Sequence, residues 1–416
     1  MLRYDRTSVA HWLAGTRPSA HIAELVAEAL SRRLHRPITL ADTNLARPDH
    51  PTPANAAPRQ AEDPVARLVE LAGTGRGRRA VPRPMAYSTG TTLPGLPSPL
   101  SAGSPAPTSA SAAAKVGPVH GQSAELMVKV FADSDAMFGG GRARTALTAY
   151  LATDVAGRLR APASASTRRR LLRTASQLAY LAGYMCFDEH LNGVAQVYYR
   201  SAAEFAAAAS DLVGYSTALR AMSIQAYHLG HRAQALDLAE AAGRHHHRVP
   251  GGQAGLLTAQ LAVAEAGRGD RRASFSHLAQ AERLLDQGED DQGTIGVYHP
   301  AALAHQEAEV LLCTGDRAGA IRALNLSLRH RPAGERRARA LTTARLAHLH
   351  FDQGSIEEAA ARCHAFLDDA TGLQSTRADQ VLASLRSRLR THQRSAAVRT
   401  VIERLDQARH TESAGA

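Results

Sequence analysis

The sequence predicts an all-α chain in three parts, and three observations predict it. Apolar residues recur at three- and four-residue spacing near the start of the chain and again over most of 121–410, the interval at which side chains share one helix face. Residues 46–120 between them are dominated by Pro, Ala, Gly, Ser and Thr. In the C-terminal part a polar turn followed by a small residue returns at nearly constant distance, the mark of stacked helical hairpins. The expected parts are a partial helix-turn-helix over 1–45, a flexible linker over 46–120 and a helical-hairpin superhelix over 121–410.

The first element is a short helix. Residues 4–18 read Tyr-Asp-Arg-Thr-Ser-Val-Ala-His-Trp-Leu-Ala-Gly-Thr-Arg-Pro. Asp5 or Thr7 is a candidate cap, because a small polar side chain accepts hydrogen bonds from the free amides of the first turn. Val9, Trp12 and Leu13 give one apolar face. Gly15 ends the helix where a left-handed residue is least costly, and Pro18 prevents its resumption. The opposite face carries Arg6, Thr7, Ser8, Ala10 and His11, short or polar side chains near the N-terminus, the end a recognition helix presents to base edges in the major groove. A second helix is predicted over 20–34, with Ile22, Leu25, Val26, Ala29, Leu30 and Arg33 at helical spacing.

Together with Ile38-Thr39-Leu40-Ala41-Asp42, this stretch resembles the DNA-binding domain of repressor-like, Xre-type regulators. It looks most like the variant found in regulators of sporulation and antibiotic production in mycelial, high-G+C bacteria. The residues that carry the resemblance are Ser8-Val9-Ala10-His11-Trp12, the Gly15-x-Arg17-Pro18 turn, and Val26-x-Glu28-Ala29-Leu30-Ser31-x-Arg33-Leu34. Such domains have two more helices before the recognition helix, and the sequence has no room for them ahead of Arg6, so the helix-turn-helix is expected to be truncated. The resemblance implies DNA as a partner, with Arg6, Ser8 and His11 approaching bases and Thr7 and Arg17 holding phosphate.

Charge and composition bear on the linker. The net charge is +11. Residues 1–120 hold 14 basic and 8 acidic side chains, an excess that phosphate backbones reward by counterion release, although a solvated surface accounts for it as well. The composition of 46–120 cannot bury enough apolar surface to offset ordering entropy, which predicts a flexible tether. One short helix is predicted inside it at 63–72, from Val65, Leu68 and Val69. Gly75-Arg76-Gly77-Arg78-Arg79 suits an A·T-rich minor groove, but it lacks a proline after Arg78 and a plain solvated linker is the preferred reading.

The third part is the repeat. Segments 192–203, 231–242, 270–281, 316–328 and 355–366 each follow a polar turn and carry a small residue at one place: Ala195, Ala235, Ser274, Ala320 and Ala359. Tyr199, Ala239, Leu278, Leu324 and Cys363 stand four residues later, and four turns contain Gly230, Gly269, Gly315 and Gly354. Another helix precedes each turn. With aromatics at 4% of the chain, the core must be Ala, Leu and Val on closely approaching helices. Leu181-x-Gly183-Tyr184 and Ala195-x-x-x-Tyr199-x-x-Ala202 resemble the tetratricopeptide pattern over 171–370, with loops longer than its period of about 34 residues. Residues 123–170 are expected to add a leading helix pair, the glycines of Phe138-Gly139-Gly140-Gly141-Arg142 making a turn. Two final helices, over 377–390 and 395–408, are expected to cap the end.

The resemblance implies a concave groove lined by the first helix of each hairpin, here bearing Tyr180, Tyr184, Gln225, Gln260, His305, Gln306 and Arg345. Amide and guanidinium groups among small residues suit an extended peptide or a partner helix, and the alternative is a surface that serves only to dimerise. No nucleophile elbow, Walker loop, dinucleotide signature or paired metal-binding histidines occur, so no enzyme activity, cofactor or metal is expected. His245-His246-His247 reads as a solvated loop. Cys186, Cys313 and Cys363 read as small buried residues in a reducing cytosol. No run is apolar enough to span a membrane, and no signal sequence is expected. The expected function is a cytoplasmic transcriptional regulator whose repeats bind a partner or dimerise. The rival is a scaffold or anti-regulator that never touches DNA.

Overall fold

The computed structural model describes residues 6–19, 63–73, 87–89, 116–286 and 299–414, with Gly95 and separate positions between 22 and 45. Among these the chain is all-α, as the sequence predicts; one isolated bridge, Val116 to Ala163, is the exception. In chain order the helices are α1 (Arg6–Leu13), α2 (Pro64–Gly73), α3 (Pro118–Phe138), α4 (Gly140–Tyr150), a π-helical turn (Leu151–Val155), α5 (Ala156–Arg160), α6 (Ala165–Asp188), α7 (Asn192–Ala208), α8 (Leu212–His228) and α9 (Arg232–Gly243). They continue with α10 (Gly251–Arg268), α11 (Arg271–Asp286), α12 (Pro300–Cys313), α13 (Arg317–His330), α14 (Arg336–Asp352), α15 (Ile356–Ala370), α16 (Thr376–Thr391) and α17 (Ala396–Ala414).

Contacts gather the chain into two compact units that cut across the three parts expected. One comprises Met1–Gly121, Thr148–Gly183 and Leu191–Ala241; the other comprises Gln122–Leu147, Tyr184–His190 and Ala242–Ala416. The difference arises because pieces distant in sequence close onto the same hairpins.

The repeat turns follow one hydrogen-bond plan. Gly230, Gly269, Gly315 and Gly354 have φ of 88°, 90°, 88° and 76°, a region that a Cβ makes costly. The next amide, from His231, Asp270, Asp316 or Ser355, then donates back to the carbonyl of Ala226, Glu265, Leu311 or His350 at 2.9–3.0 Å, closing the helix end. Two of these residues also cap the following helix: Asp270 accepts from the Ala273 amide at 2.9 Å and Asp316 from the Gly319 amide at 2.7 Å.

The small residues behind the turns are all fully buried: Ala195, Ala235, Ser274, Ala320 and Ala359. In the first unit α7 packs on α8, and Gly183 of α6 lies flat on the Tyr199 ring of α7, where a Cβ would stand 2.7 Å from a ring carbon. Ser176 donates from α6 to the Ala202 carbonyl of α7 at 2.8 Å, and Ser223 of α8 to the Ala235 carbonyl of α9 at 2.7 Å. Hydroxyls can satisfy themselves on a neighbouring helix only where helices approach this closely. In the second unit α10 pairs with α11, α12 with α13 and α14 with α15. Their cores are built from Leu256, Ala259 and Ala281, then Ala320, Leu324 and Leu346, then Phe351, Cys363 and Phe366 with Leu385 and Val401 of the last two helices.

Within the second unit, the glycine turn between α3 and α4 packs on the loop between α15 and α16. Gly139 has φ of 85°, and a Cβ there would lie 2.5 Å from the Gln374 carbonyl. Gln374 donates to the Phe138 carbonyl at 2.7 Å, and the Gly141 amide donates to the Gln374 carbonyl at 2.9 Å.

Candidate functional site

The N-terminal helix α1 starts at Arg6, so Thr7 lies inside its first turn and is not the cap; Asp5 lies outside the described residues. Thr7 and His11 are exposed, Ser8 and Arg17 half-buried, and of Arg6 only the helical backbone is described. Gly15, with φ of 103°, ends the helix, and the Thr16 amide reaches back to the His11 carbonyl at 2.9 Å. Of the second predicted helix Ile22, Ala23, Val26, Ala27 and Leu30 are described, all helical, with Ala23 and Ala27 buried. The rest of 20–34, residues 39–42 and the Gly75–Arg79 motif lie outside the described residues. The apolar face of α1 is not covered throughout: Val9 is 43% and Leu13 85% exposed, while Trp12 is half-buried.

The predicted groove residues divide between the two units and do not share one role. In the first, Tyr180 packs at 6.0 Å on the Tyr199 ring. Gln225 is fully buried and donates to the Asn192 carbonyl at 2.7 Å, holding the start of α7 against α8. In the second, Gln260 is buried, and Tyr184 lies under the Arg337 guanidinium at 4.6 Å. These placements correct the expectation for Gln225 and Gln260, which are buried where an open groove was expected, and Gln306 is buried likewise. The chemistry of an amide at helical spacing is the same in both roles, and burial alone separates them.

His305 and Gln306 stand on α12 and Arg345 on α14, all in the second unit. His305 approaches the Thr342 hydroxyl at 3.4 Å, and exposed Arg345 pairs with Glu309 at 3.3 Å. Burial lowers the His305 pKa to about 4; Glu309 opposes this, and Arg331, Arg345 and Arg377 reinforce it. Gln306 is buried, and among the described residues its amide has no hydrogen-bond partner.

Two features lie outside the sequence reading. The first is a buried ion cluster in the second unit. Arg337 of α14 makes a two-pronged pair with Asp135 of α3 at 2.8 and 2.7 Å and stands 3.6 Å from Asp188 of α6. Asp188 accepts from the Gly140 amide at 3.0 Å and the Ser375 hydroxyl at 2.9 Å. Burial pushes the Asp135 carboxyl up against the pull of Arg337. Arg337 is held charged, above its ordinary value: burial works against the charge, and Asp135, Tyr184 and Asp188 outweigh it.

The second is a set of contacts from the segment read as a free tether. Helix α2, legible from Val65 and Leu68, is docked: Leu68 is fully buried, and α2 packs on the π turn, α5 and α7. Arg67 donates to Glu204 of α7 at 2.6 Å and to Ser201 at 3.3 Å. Farther along, Tyr87, Ser88 and Thr89 lie on α7 and α9. The Ser88 amide donates to Gln196 Oε1 at 2.9 Å, and Gln196 Nε2 donates to the Ser88 carbonyl at 2.6 Å. Gln234 accepts from the Tyr87 hydroxyl at 2.8 Å and donates to the Thr89 carbonyl at 3.1 Å, and the Tyr87 and His231 rings stack at 5.2 Å. The tether expectation is therefore corrected at 63–73 and 87–89, because burying a few apolar side chains and pairing main chain with amides suffices to order short pieces. Tyr87 was the available clue: it is the one Phe, Trp or Tyr between 46 and 120.

Cysteine placement needs one correction too. Cys186 and Cys363 are buried as expected, but Cys313, at the end of α12, is exposed. Burial pushes the Cys186 and Cys363 thiols up to about 12, the first eased slightly by Arg144. An aromatic disulfide reagent at pH 8 is expected to label Cys313 quickly and the other two only after denaturant is added. Equal labelling rates would contradict the burial. His246 bonds through Nδ1 to the Gly243 carbonyl at 3.0 Å, within the short turn His246–Arg248. Among the described residues no group of three His, Cys, Asp or Glu converges as a metal site, and no helix is long and apolar enough to cross a membrane.

Residues 1–46 match the family described as the SP15 N-terminal domain. The match spans 46 of 416 residues and so concerns the segment containing α1, not the hairpins. No curated protein matches the chain.

Proposed function

We propose that the chain is a cytoplasmic transcriptional regulator of the Xre type. Its N-terminal segment contacts DNA through α1, and its tetratricopeptide-like hairpins bind a peptide or protein partner or pair with a second copy. The observation that carries this reading is the joining, in one chain, of an α1 that presents Thr7 and His11 to solvent with a register of close-packed helical hairpins. The basic excess of residues 1–120 supports it, since charge of that sign draws a segment to phosphate. Control of sporulation or antibiotic production is the role that the resemblance at Ser8–Pro18 suggests.

The test is retardation of a pool of random-sequence duplexes at low salt, followed by a salt titration. Binding is expected to weaken as salt rises, with Arg17→Ala lowering the slope by about 1 as one phosphate contact is lost. A chain that retards no duplex would instead support a scaffold or anti-regulator. That second reading is favoured by one observation: the exposed Val9 and Leu13 leave α1 an apolar face that suits a protein partner.

A further inference from the structure

Residues 87–89 are held by side chains that read a peptide's main chain. Gln196 offers its amide oxygen and nitrogen to the N–H and C=O of one residue, Ser88, as a neighbouring β-strand would. Gln234 takes the next carbonyl, that of Thr89. None of these contacts uses the Ser88 side chain, and that residue is exposed. Tyr87 is read by its side chain: its ring stacks on His231 with planes 12° apart, its hydroxyl donates to Gln234, and it is buried.

We propose that Gln196, Gln234 and His231 form a binding site for an extended peptide bearing a tyrosine whose following residue keeps its N–H, and that Tyr87-Ser88-Thr89 is its intramolecular occupant. A peptide of that chemistry supplied from outside competes with the chain's own segment. The site lies on α7 and α9, the second helices of their hairpins, and so is distinct from the groove expected on the first helices. Because the occupant is carried on the same chain, it competes at an effective concentration of order mM, and external peptide gains full affinity only when the segment is displaced. The inference rests on reading the hairpins as a partner-binding module and does not depend on DNA binding.

The experiment uses the full chain and a fluorescent peptide of residues 84–92, Pro-Met-Ala-Tyr-Ser-Thr-Gly-Thr-Thr, followed by anisotropy without DNA. Two variants vacate the site while leaving its walls intact: Tyr87→Ala removes the stacked ring, and Ser88→Pro removes the amide that Gln196 accepts. Each is expected to bind the peptide at least about tenfold more tightly than the unmodified chain, the factor by which cis occupancy lowers apparent affinity. Adding Gln196→Ala and Gln234→Ala is expected to abolish the gain, and a peptide with alanine for tyrosine is expected to fail. Equal affinity in the unmodified and vacated chains overturns the proposal, as does binding that survives loss of both glutamines. Hydrogen exchange on the unmodified chain gives a readout independent of variant folding. Saturating peptide should speed exchange of the Ser88 amide, and unchanged exchange overturns the proposal. Because no DNA is present, failure here leaves the retardation test untouched.

Discussion

Arg337→Met is expected to be the most damaging single substitution in the second unit, costing about 3–5 kcal/mol of stability. The guanidinium is 8% exposed, and its carboxylate partners Asp135 and Asp188 are 6% and 2% exposed. Methionine matches the stem and removes the charge, so two buried carboxylates then face each other with no counter-charge. The loss far exceeds that expected for Glu309→Gln, which breaks the half-exposed pair with Arg345; such pairs contribute about 1 kcal/mol or less. Denaturant unfolding followed by circular dichroism measures both. The double variant Arg337→Met, Asp135→Asn should recover part of the loss, because it removes one of the stranded charges. A midpoint for Arg337→Met within error of the unmodified chain would mean that water reaches the cluster. The effect does not require that the pair be a net stabiliser over an apolar replacement, since breaking a buried pair and designing it away have different costs.

Gly183→Val is expected to cost about 3 kcal/mol in the first unit, at the upper end for overpacking a core. A Cβ at this position would sit 2.7 and 2.8 Å from two carbons of the Tyr199 ring and 3.2 Å from the Ala195 carbonyl. Tyr199 is itself fully buried, so the ring cannot swing away without moving α7. Helix propensity works the other way, because glycine inside a helix is about 1 kcal/mol worse than alanine. The sign of the result therefore separates the two effects. Gly183→Ala should cost less in a Tyr199→Leu background, where the ring is gone, than in the unmodified chain. A thermal midpoint that rises on Gly183→Ala alone would show that helix propensity outweighs the contact.

The hairpins were legible in the sequence because the rules that form them are local. A glycine after a helix, a small residue a few positions later and apolar residues at helical spacing all act within about ten residues of one another, and they recur in register from Ala195 to Ala359. Helix α2 was visible for the same reason. The candidate site was legible only in part. Thr7 and His11 stand exposed on the predicted helix, but Gln225, Gln260 and Gln306, read as groove residues, are buried. No local pattern distinguishes a glutamine that meets a partner from one that meets Asn192.

By itself, then, the sequence determined the all-α class, the hairpin register and the small residues on which the helices meet, since each follows from backbone preference and periodicity over a turn or two. Tertiary structure decided the rest. The Asp135 and Arg337 partners lie 202 positions apart, and Ser88 and Gln196 lie 108 apart. Charged and amide side chains do not announce their partners, and whether one is solvated, paired or stranded depends on which distant helix closes over it. The physical reason is that burial, not residue type, sets the cost of leaving a polar group unpaired, and burial is a property of the assembled fold.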